Sequence, residues 1–176
     1  MPTRLAILLT LLTLPASGQT TSSKHSWDSS FEKFWKARNQ CDFAAARTLA
    51  ERVWDEVRKA GPAATDYADG VESAYTALAS IAGSLPAERI YVDAIAATEL
   101  PRYRETHLKL LGWFGDHLSS LRQEVKAERI LSQAVELDEA SPDHSRFFGY
   151  ALVSLASLKE RLGLPADAEK LSPGRQ

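Results

Sequence analysis

The sequence contains very little cysteine, which limits how its fold can be held together. Among its 176 residues there is one cysteine, Cys41. A single thiol cannot form a disulfide within the chain, so covalent cross-links between cysteines do not stabilise this fold. We expect Cys41 to be a small residue packed near the turn of a helical hairpin. The alternative is a reactive thiol, or one that pairs with another molecule.

The chain also lacks a strong excess of either charge. Lysine and arginine number 21, aspartate and glutamate 23, and the net charge is −2. Proteins that bind nucleic acid usually carry a basic stripe, and polybasic segments are what attract a protein to an anionic membrane surface. The near balance of charge argues against both kinds of partner.

Helix breakers are scarce as well. There are nine glycines and eight prolines, and β-branched residues are few beside alanine and leucine, a balance that favours helix over sheet. Hydrophobic residues make up 44% of the chain and charged residues 25%, which is typical of a folded domain rather than a disordered one. The length is that of about one domain.

Motifs for metal binding, phosphate binding and nucleophilic catalysis are missing. The chain has no His-x-x-x-His, Glu-x-x-His or cysteine pair, no glycine-rich phosphate loop and no Gly-x-Ser-x-Gly elbow. His107 and His117 are ten residues apart, so they point in different directions around a helix. Asp116 next to His117 is explained by two polar residues on a helix surface. We therefore expect no metal, no cofactor and no enzymatic activity.

The first residues have the order of a secretory signal peptide. Arg4 precedes an apolar run, 5–14, that only two threonines interrupt, and Pro15 is followed by the small residues 16–18. Cleavage is predicted after Gly18, which predicts export to the periplasm or the medium. The run is shorter than the roughly 20 residues of a membrane span, so none is expected after cleavage. An uncleaved N-terminal anchor or a disordered start is the alternative.

A tetrapeptide recurs along the chain at a regular distance. The segment Ala-Glu-Arg-Ile at 87–90 returns at 127–130, returns as Ala-Glu-Lys-Leu at 168–171, and has a weaker counterpart at 46–49. The starting alanines are 40 or 41 residues apart. A fixed period of this length is the signature of a repeat architecture. Residues 19–26 precede the repeats as a flexible leader, the repeat domain covers 27–171, and 172–176 form a C-terminal tail.

Each repeated tetrapeptide is preceded by a second segment with apolar residues three and four positions apart, which predicts helix. Gly61-Pro62, Pro101 and Ser141-Pro142 separate the units, while Gly83 and Gly163 mark turns inside two of them. The pattern predicts an all-α fold of four hairpins, each too small to bury its own apolar face, stacked into one core. The expected helices are 27–40, 43–59, 66–82, 85–98, 103–121, 124–138, 144–162 and 165–171.

The last unit resembles a tetratricopeptide repeat. That family keeps a small residue late in the first helix, a glycine at the turn and alanines on the second helix. The matching residues here are Gly115 and Ala156 for the small position, Gly163 for the turn, and Ala46, Ala87, Ala94, Ala127, Ala134 and Ala168 for the second helix.

The resemblance covers about residues 27–171, and the longer period is closer to kinesin-light-chain-like repeats than to the usual period of about 34 residues. It implies a short right-handed α-solenoid of about four antiparallel hairpins. Phe34 and Tyr75 are bulky where the family prefers a small residue, and Phe34 indicates that the first hairpin is a cap. A HEAT-type array has a similar period and is the structural alternative, but the turn glycine and the paired alanines favour the tetratricopeptide type.

The resemblance also implies that the first helices of the hairpins line a concave groove that binds another protein or a peptide. The candidate groove residues are Phe31, Trp35, Arg38, Asn39, Glu72, Thr76, Lys109, Asp116, Tyr150, Ser157 and Arg161. Trp35 and Arg38 are of types enriched at binding hot spots. The alternative for Trp35 is packing against the leader or the second helix. The groove has no Lys/Asn-rich clamp for a C-terminal carboxylate.

We therefore predict an exported adaptor or scaffold that binds a partner protein through this groove. The alternative is a structural or assembly subunit of an envelope complex. The last predicted helix is short and no polar capping helix follows Leu171, so an apolar end is expected there. Self-association through this C-terminal hairpin would then produce a homo-oligomer.

Overall fold

A computed structural model describes residues 25–171 of the chain. The predicted signal peptide, the leader up to residue 24 and the tail 172–176 lie outside the described residues. Of the expected leader only His25 and Ser26 are described. His25 stacks on Trp27, with ring centroids 4.9 Å apart, and its Nε2 atom lies 3.2 Å from Asp66 Oδ2. These contacts attach the start of the described chain to the loop between the second and third helices.

The described residues form eight α-helices, one 3₁₀ turn at Pro101–Tyr103 and no β-strand. The helices are α1 Asp28–Asn39, α2 Phe43–Ala60, α3 Tyr67–Ala82, α4 Ser84–Ala97, α5 Arg104–Ser120, α6 Glu124–Glu139, α7 Phe148–Arg161 and α8 Pro165–Lys170. The predicted all-α class and the eight predicted helices are confirmed. Their ends agree within one residue, except at the start of α7.

The predicted start of α7 is wrong by four residues because the preceding segment is bound to α6. Asp138, which is completely buried near the end of α6, accepts a hydrogen bond from the Ser145 backbone N–H at 2.9 Å. Its other carboxylate oxygen lies 2.9 Å from His144 Nδ1, and Arg104 of α5 pairs with the same carboxylate. These bonds hold 144–147 outside the helix, so α7 begins at Phe148.

Three of the four turns inside the hairpins have the same backbone geometry. Cys41, Arg122 and Gly163 have positive φ angles of 59°, 59° and 75°. In each turn the next N–H donates to a carbonyl five residues earlier, at 3.0 Å for Asp42, 2.9 Å for Gln123 and 2.9 Å for Leu164. This is the Schellman ending of an α-helix, in which one left-handed residue lets the chain reverse. Gly83, with φ 85°, ends α3, so both predicted turn glycines are confirmed.

Cys41 lies at such a turn, as expected, but the expectation that its side chain is packed is wrong. The side chain is exposed. The residue follows the end of α1, so it lies beyond the faces that α1 and α2 bury against each other.

The helices pack in chain order and also in an alternating order. Each helix contacts the next one, and α1 contacts α3, α3 contacts α5, and α5 contacts α7. The odd-numbered helices therefore lie side by side in one layer. We call the outward side of this layer, which carries Glu72, Lys109, Asp116 and Tyr150, the odd-helix surface.

Neighbouring helices approach each other closely at the small residues of the repeat. The leading alanines of the four tetrapeptides are all buried, at 4% exposure or less. At Gly115 of α5 an added Cβ atom would lie 2.5 Å from the Leu131 side chain of α6, so a larger residue does not fit there. The apolar interior has two parts. One runs through α2 to α7, and a smaller N-terminal cluster is formed by Phe34, Ala37, Ala46, Ala50 and Ala77.

Candidate functional site

A cleft of about 330 Å³ opens in the middle of the odd-helix surface. Its lining residues are Glu72 of α3, Trp113, Asp116 and His117 of α5, and Tyr150 of α7. We call it the central cleft. Trp113, Asp116 and His117 share one face of α5 because they are three and four residues apart. The neighbouring helices α3 and α7 provide the two sides.

Gly112 positions Tyr150 over α5. A Cβ atom at Gly112 would lie 3.0 Å from the Tyr150 ring, so the ring rests directly on the helix backbone. One turn further along α5, the Tyr150 hydroxyl donates a hydrogen bond to Asp116. Burial and the Asp116 carboxylate raise the pKa of Tyr150 well above its ordinary value. The hydroxyl therefore stays protonated and remains a donor.

Glu72 is held by several donors at once. Its carboxylate oxygens lie 3.0 and 3.2 Å from His117 Nε2, and the Tyr91 hydroxyl of α4 donates a hydrogen bond to it. Partial burial by itself raises the pKa of Glu72, but hydrogen bonds from His117, Tyr91 and Thr76 and the charge of His117 outweigh burial. The pKa therefore lies below its ordinary value, and the group stays ionised in mildly acidic solution.

An aromatic layer lies beneath the cleft. The His117 ring contacts Tyr75 and Tyr91, with centroids 4.4 and 5.6 Å apart. Tyr91 stacks on Phe114 at 5.1 Å. Burial and the nearby Glu72 carboxylate raise the pKa of Tyr91 far above its ordinary value, so its hydroxyl stays a donor to Glu72. This layer holds the side chains of His117 and Glu72 in position.

Lys109 lies at the margin of the central cleft. Its Nζ atom is 2.9 and 3.1 Å from the two carboxylate oxygens of Asp69 on α3. The same ammonium group lies 4.4 Å from the centroid of the Trp113 ring and 5.8 Å from that of Phe147. A cation thus already rests on the aromatic ring that forms one wall of the cleft.

Seven of the predicted groove residues lie in or beside the central cleft or on the same helices. Glu72, Asp116 and Tyr150 line the cleft, Thr76 bonds to Glu72, and Lys109 stands at the margin. Arg161 of α7 donates a hydrogen bond to Ser119 of α5. Ser157 of α7 is exposed.

The four candidates on α1 form a separate group. The Trp35 ring meets Phe34 at 5.0 Å and Phe31 at 6.0 Å, both nearly edge to face. The Arg38 guanidinium lies 5.2 Å from the centroid of the Trp35 ring, and Asn39 is exposed at the end of the helix. Trp35 packs on the N-terminal cluster. Whether this group binds a partner stays a prediction.

Sequence reasoning missed Trp113 and His117 as members of the site. Asp116 and His117 were expected to be two polar residues on a helix surface, but Asp116 bonds to Tyr150 and half-buried His117 bonds to Glu72. The repeat itself contains the signal. Residues about 41 apart occupy equivalent positions on neighbouring odd helices, so Glu72 corresponds to Trp113, and His117 lies one turn further along α5.

A larger cleft of about 520 Å³ lies elsewhere, where the ends of α4 and α6 are near the start of α5. It includes Thr98, Leu100, Arg104, His107 and Leu137. His107 is buried, its Nδ1 atom lies 3.0 Å from Thr98 Oγ1, and burial lowers its pKa. Arg104 is paired with Asp138, so its charge already has a counter-ion. The cleft contains none of the predicted groove residues.

Two further properties of residues 25–171 bear on function. Within them, no cluster of three or more histidine, cysteine, aspartate or glutamate side chains is arranged to hold a metal ion. None of the helices in this part of the chain combines the length and the hydropathy of a membrane span.

Comparison with known proteins gives no relative from which a function could be transferred. No family model matches the chain, and searches of curated proteins and of solved structures find no similar protein.

Proposed function

We propose that this protein is an exported helical-repeat module of the tetratricopeptide type, which binds another protein through the odd-helix surface. The observation that supports this proposal is the central cleft. Partly exposed aromatic and charged side chains from three neighbouring helices converge on it. On α5 and α7, Trp113 and Tyr150 face the cleft without a covering element among the described residues. Aromatic residues of this kind provide much of the energy at protein interfaces.

The tetratricopeptide assignment is supported by the period and the packing together. Alanines 40 or 41 residues apart are buried at corresponding places, and alternate helices contact one another. Both features are expected of stacked antiparallel hairpins. Export is supported by residues 1–18, whose order of charged, apolar and small residues is typical of a signal peptide. The proposal assigns the protein no catalytic activity.

Site-specific photo-crosslinking in cells tests this function. A photo-crosslinking residue would replace Tyr150 at the cleft or, as a matched control, Glu136, an exposed residue of α6. We expect a discrete adduct with a second protein from position 150 and none from position 136. Adducts from position 136 alone, or from neither position, would contradict binding through the odd-helix surface.

Self-association through the last hairpin is the second candidate function. Leu162 and Leu164, at the turn between α7 and α8, are 39% and 42% exposed, although both are large apolar residues. If this turn joins copies of the chain, sedimentation would detect a dimer or larger species. The double variant Leu162→Ser with Leu164→Ser would then be monomeric. A wild-type protein that is monomeric at high concentration would eliminate this candidate.

A further inference from the structure

The central cleft has a composition that selects one kind of ligand. Its five lining residues include two carboxylates, two large aromatic rings and a histidine, but no lysine or arginine. We infer that the cleft binds a basic side chain, arginine in preference to lysine, from an extended segment of the partner protein. This inference rests on the proposed function and adds the chemistry of the partner to it.

The two carboxylates of the cleft exceed the positive charge that its one histidine can supply. Asp116 accepts a hydrogen bond from the Tyr150 hydroxyl, and Glu72 accepts from the Tyr91 hydroxyl and is bonded to His117. Hydroxyl donors hold a carboxylate in place without neutralising it, and His117 offsets the charge of Glu72 only when its ring is protonated. Glu72 is also only partly buried, with 34% of its side chain exposed, so an incoming cation can reach it. Because its pKa lies below the ordinary value, the charge is present at neutral and mildly acidic pH.

The aromatic walls favour an organic cation. A ring face attracts a positive charge, and Trp113 already carries the Lys109 ammonium at 4.4 Å. The charge of Lys109 is paired with Asp69, and neither residue is part of the cleft lining. The Tyr150 ring, which is 40% exposed, remains available on the other side.

Arginine fits this arrangement better than lysine. A guanidinium group is flat, stacks on aromatic rings and donates to carboxylates from several N–H groups at fixed angles. Glu72 and Asp116 line the same cleft from neighbouring helices together with the Tyr150 ring, so the cleft provides a guanidinium with carboxylate acceptors and a ring face. A lysine ammonium satisfies the charge but gains less from the flat ring surfaces.

Peptide selection on the full chain tests the inference. A random peptide library would be selected on the immobilised protein, and the recovered peptides would be labelled and titrated by fluorescence anisotropy. Each would also be made with arginine replaced by citrulline, which has a similar shape but no charge. We expect the recovered peptides to share a basic residue and the citrulline forms to bind about tenfold more weakly or worse.

Variants that neutralise the two carboxylates test whether the basic side chain binds in the central cleft. Glu72→Gln with Asp116→Asn removes both charges at nearly constant shape, and we expect the same loss of about tenfold or more in affinity. Glu136→Gln with Glu139→Gln changes the net charge equally on α6 and should bind like the wild type. Circular dichroism checks that each variant is folded. If the double variant unfolds, the single variant Asp116→Asn replaces it, and we expect a smaller loss of affinity.

The outcomes separate this inference from the proposed function. Peptides that crosslink to position 150 but lack a basic residue, or that bind equally well as citrulline forms, would overturn the cation inference and leave binding through the odd-helix surface standing. Equal binding by Glu72→Gln with Asp116→Asn would overturn it as well. If no peptide is recovered, or none crosslinks to position 150, both the inference and the proposed function fail.

Discussion

The aromatic side chains of α1 differ from those of α5 and α7 in what surrounds them. On α1, Phe31, Phe34 and Trp35 pack against one another, and Phe34 is completely buried in the N-terminal cluster. On α5 and α7, Trp113 and Tyr150 stand at an open cleft beside two carboxylates. Residues of the same type thus build a core in one place and a candidate binding surface in the other.

The difference follows from what lies beneath each group. Under α1 the neighbours are alanines of α2 and α3, so bulky rings fill the space that small residues leave. Under the central cleft Tyr75, Tyr91 and Phe114 already fill the interior. Trp113 packs half-buried against this interior, and the Tyr150 ring lies beyond it with 40% exposure. Aromatic residues alone therefore do not identify a binding surface, and the surrounding packing decides their role.

The largest expected effect tests the core role of the α1 group. Phe34→Ala removes a fully buried ring and should lower the free energy of unfolding by about 3–5 kcal/mol, measured by urea denaturation. Under conditions where the variant is folded, its affinity for the partner should be unchanged, because Phe34 is not exposed. A folded variant with weakened binding would contradict the comparison.

A second substitution tests the packing that positions α5. Gly115→Ala places a Cβ atom 2.5 Å from the Leu131 side chain, which is itself completely buried. We expect a loss of about 1–3 kcal/mol in the free energy of unfolding.

Gly149→Ala is the matched control, because nothing lies within 4 Å of the added atom on α7. It should be neutral or stabilising by up to about 1 kcal/mol. Equal losses at both positions would show that α5 and α6 do not approach as described.

The pH dependence of stability tests the Glu72 contacts. Because the pKa of Glu72 is lower in the folded protein than in the unfolded chain, the unfolded state binds its proton first as the pH falls. The stabilisation is therefore present above the ordinary pKa of a glutamate, about 4.3, and is lost as the pH falls below it. Urea midpoints of the wild type and Glu72→Gln should differ at neutral pH and converge in acid. A constant difference would contradict these contacts.

The smallest expected effects compare equivalent turns of the first and third hairpins. Cys41 and Arg122 both hold a left-handed backbone that disfavours side chains, so Cys41→Gly and Arg122→Gly should each stabilise the protein by up to about 1 kcal/mol. Gly163→Ala at the third turn of this kind should destabilise it. Thermal unfolding measures all three, and unequal signs for Cys41 and Arg122 would show that the two turns differ.

Much of the fold could be predicted from the sequence because each repeat buries the same positions. The alanines at 46, 87, 127 and 168 are buried as their period indicates, and the turns at Gly83 and Gly163 fall where glycine is needed. The start of α7 could not be predicted, because it depends on Asp138 bonding to residues of the following loop. A single buried carboxylate changed a helix boundary that the apolar pattern could not locate.

The site was predicted less completely than the fold. Glu72, Asp116 and Tyr150 were found by their place on the first helix of each hairpin, but Trp113 and His117 required knowing which residues meet across helices. Residue type alone drew attention to Trp35 and Arg38, whose mutual contact on α1 appears only in the structure. The pattern within a single repeat does not show which residues of neighbouring repeats contact one another.

Partner affinity measured in two double variants decides whether the central cleft or the α1 group binds the partner. The crosslinked partner would be titrated calorimetrically against the wild type, Trp35→Ala with Arg38→Ala, and Glu72→Gln with Asp116→Asn. We expect the cleft variant to lose about tenfold or more in affinity, and the α1 variant to stay within about twofold of the wild type. A large loss in the folded α1 variant, with wild-type affinity in the cleft variant, would move the binding site to α1 and contradict the account.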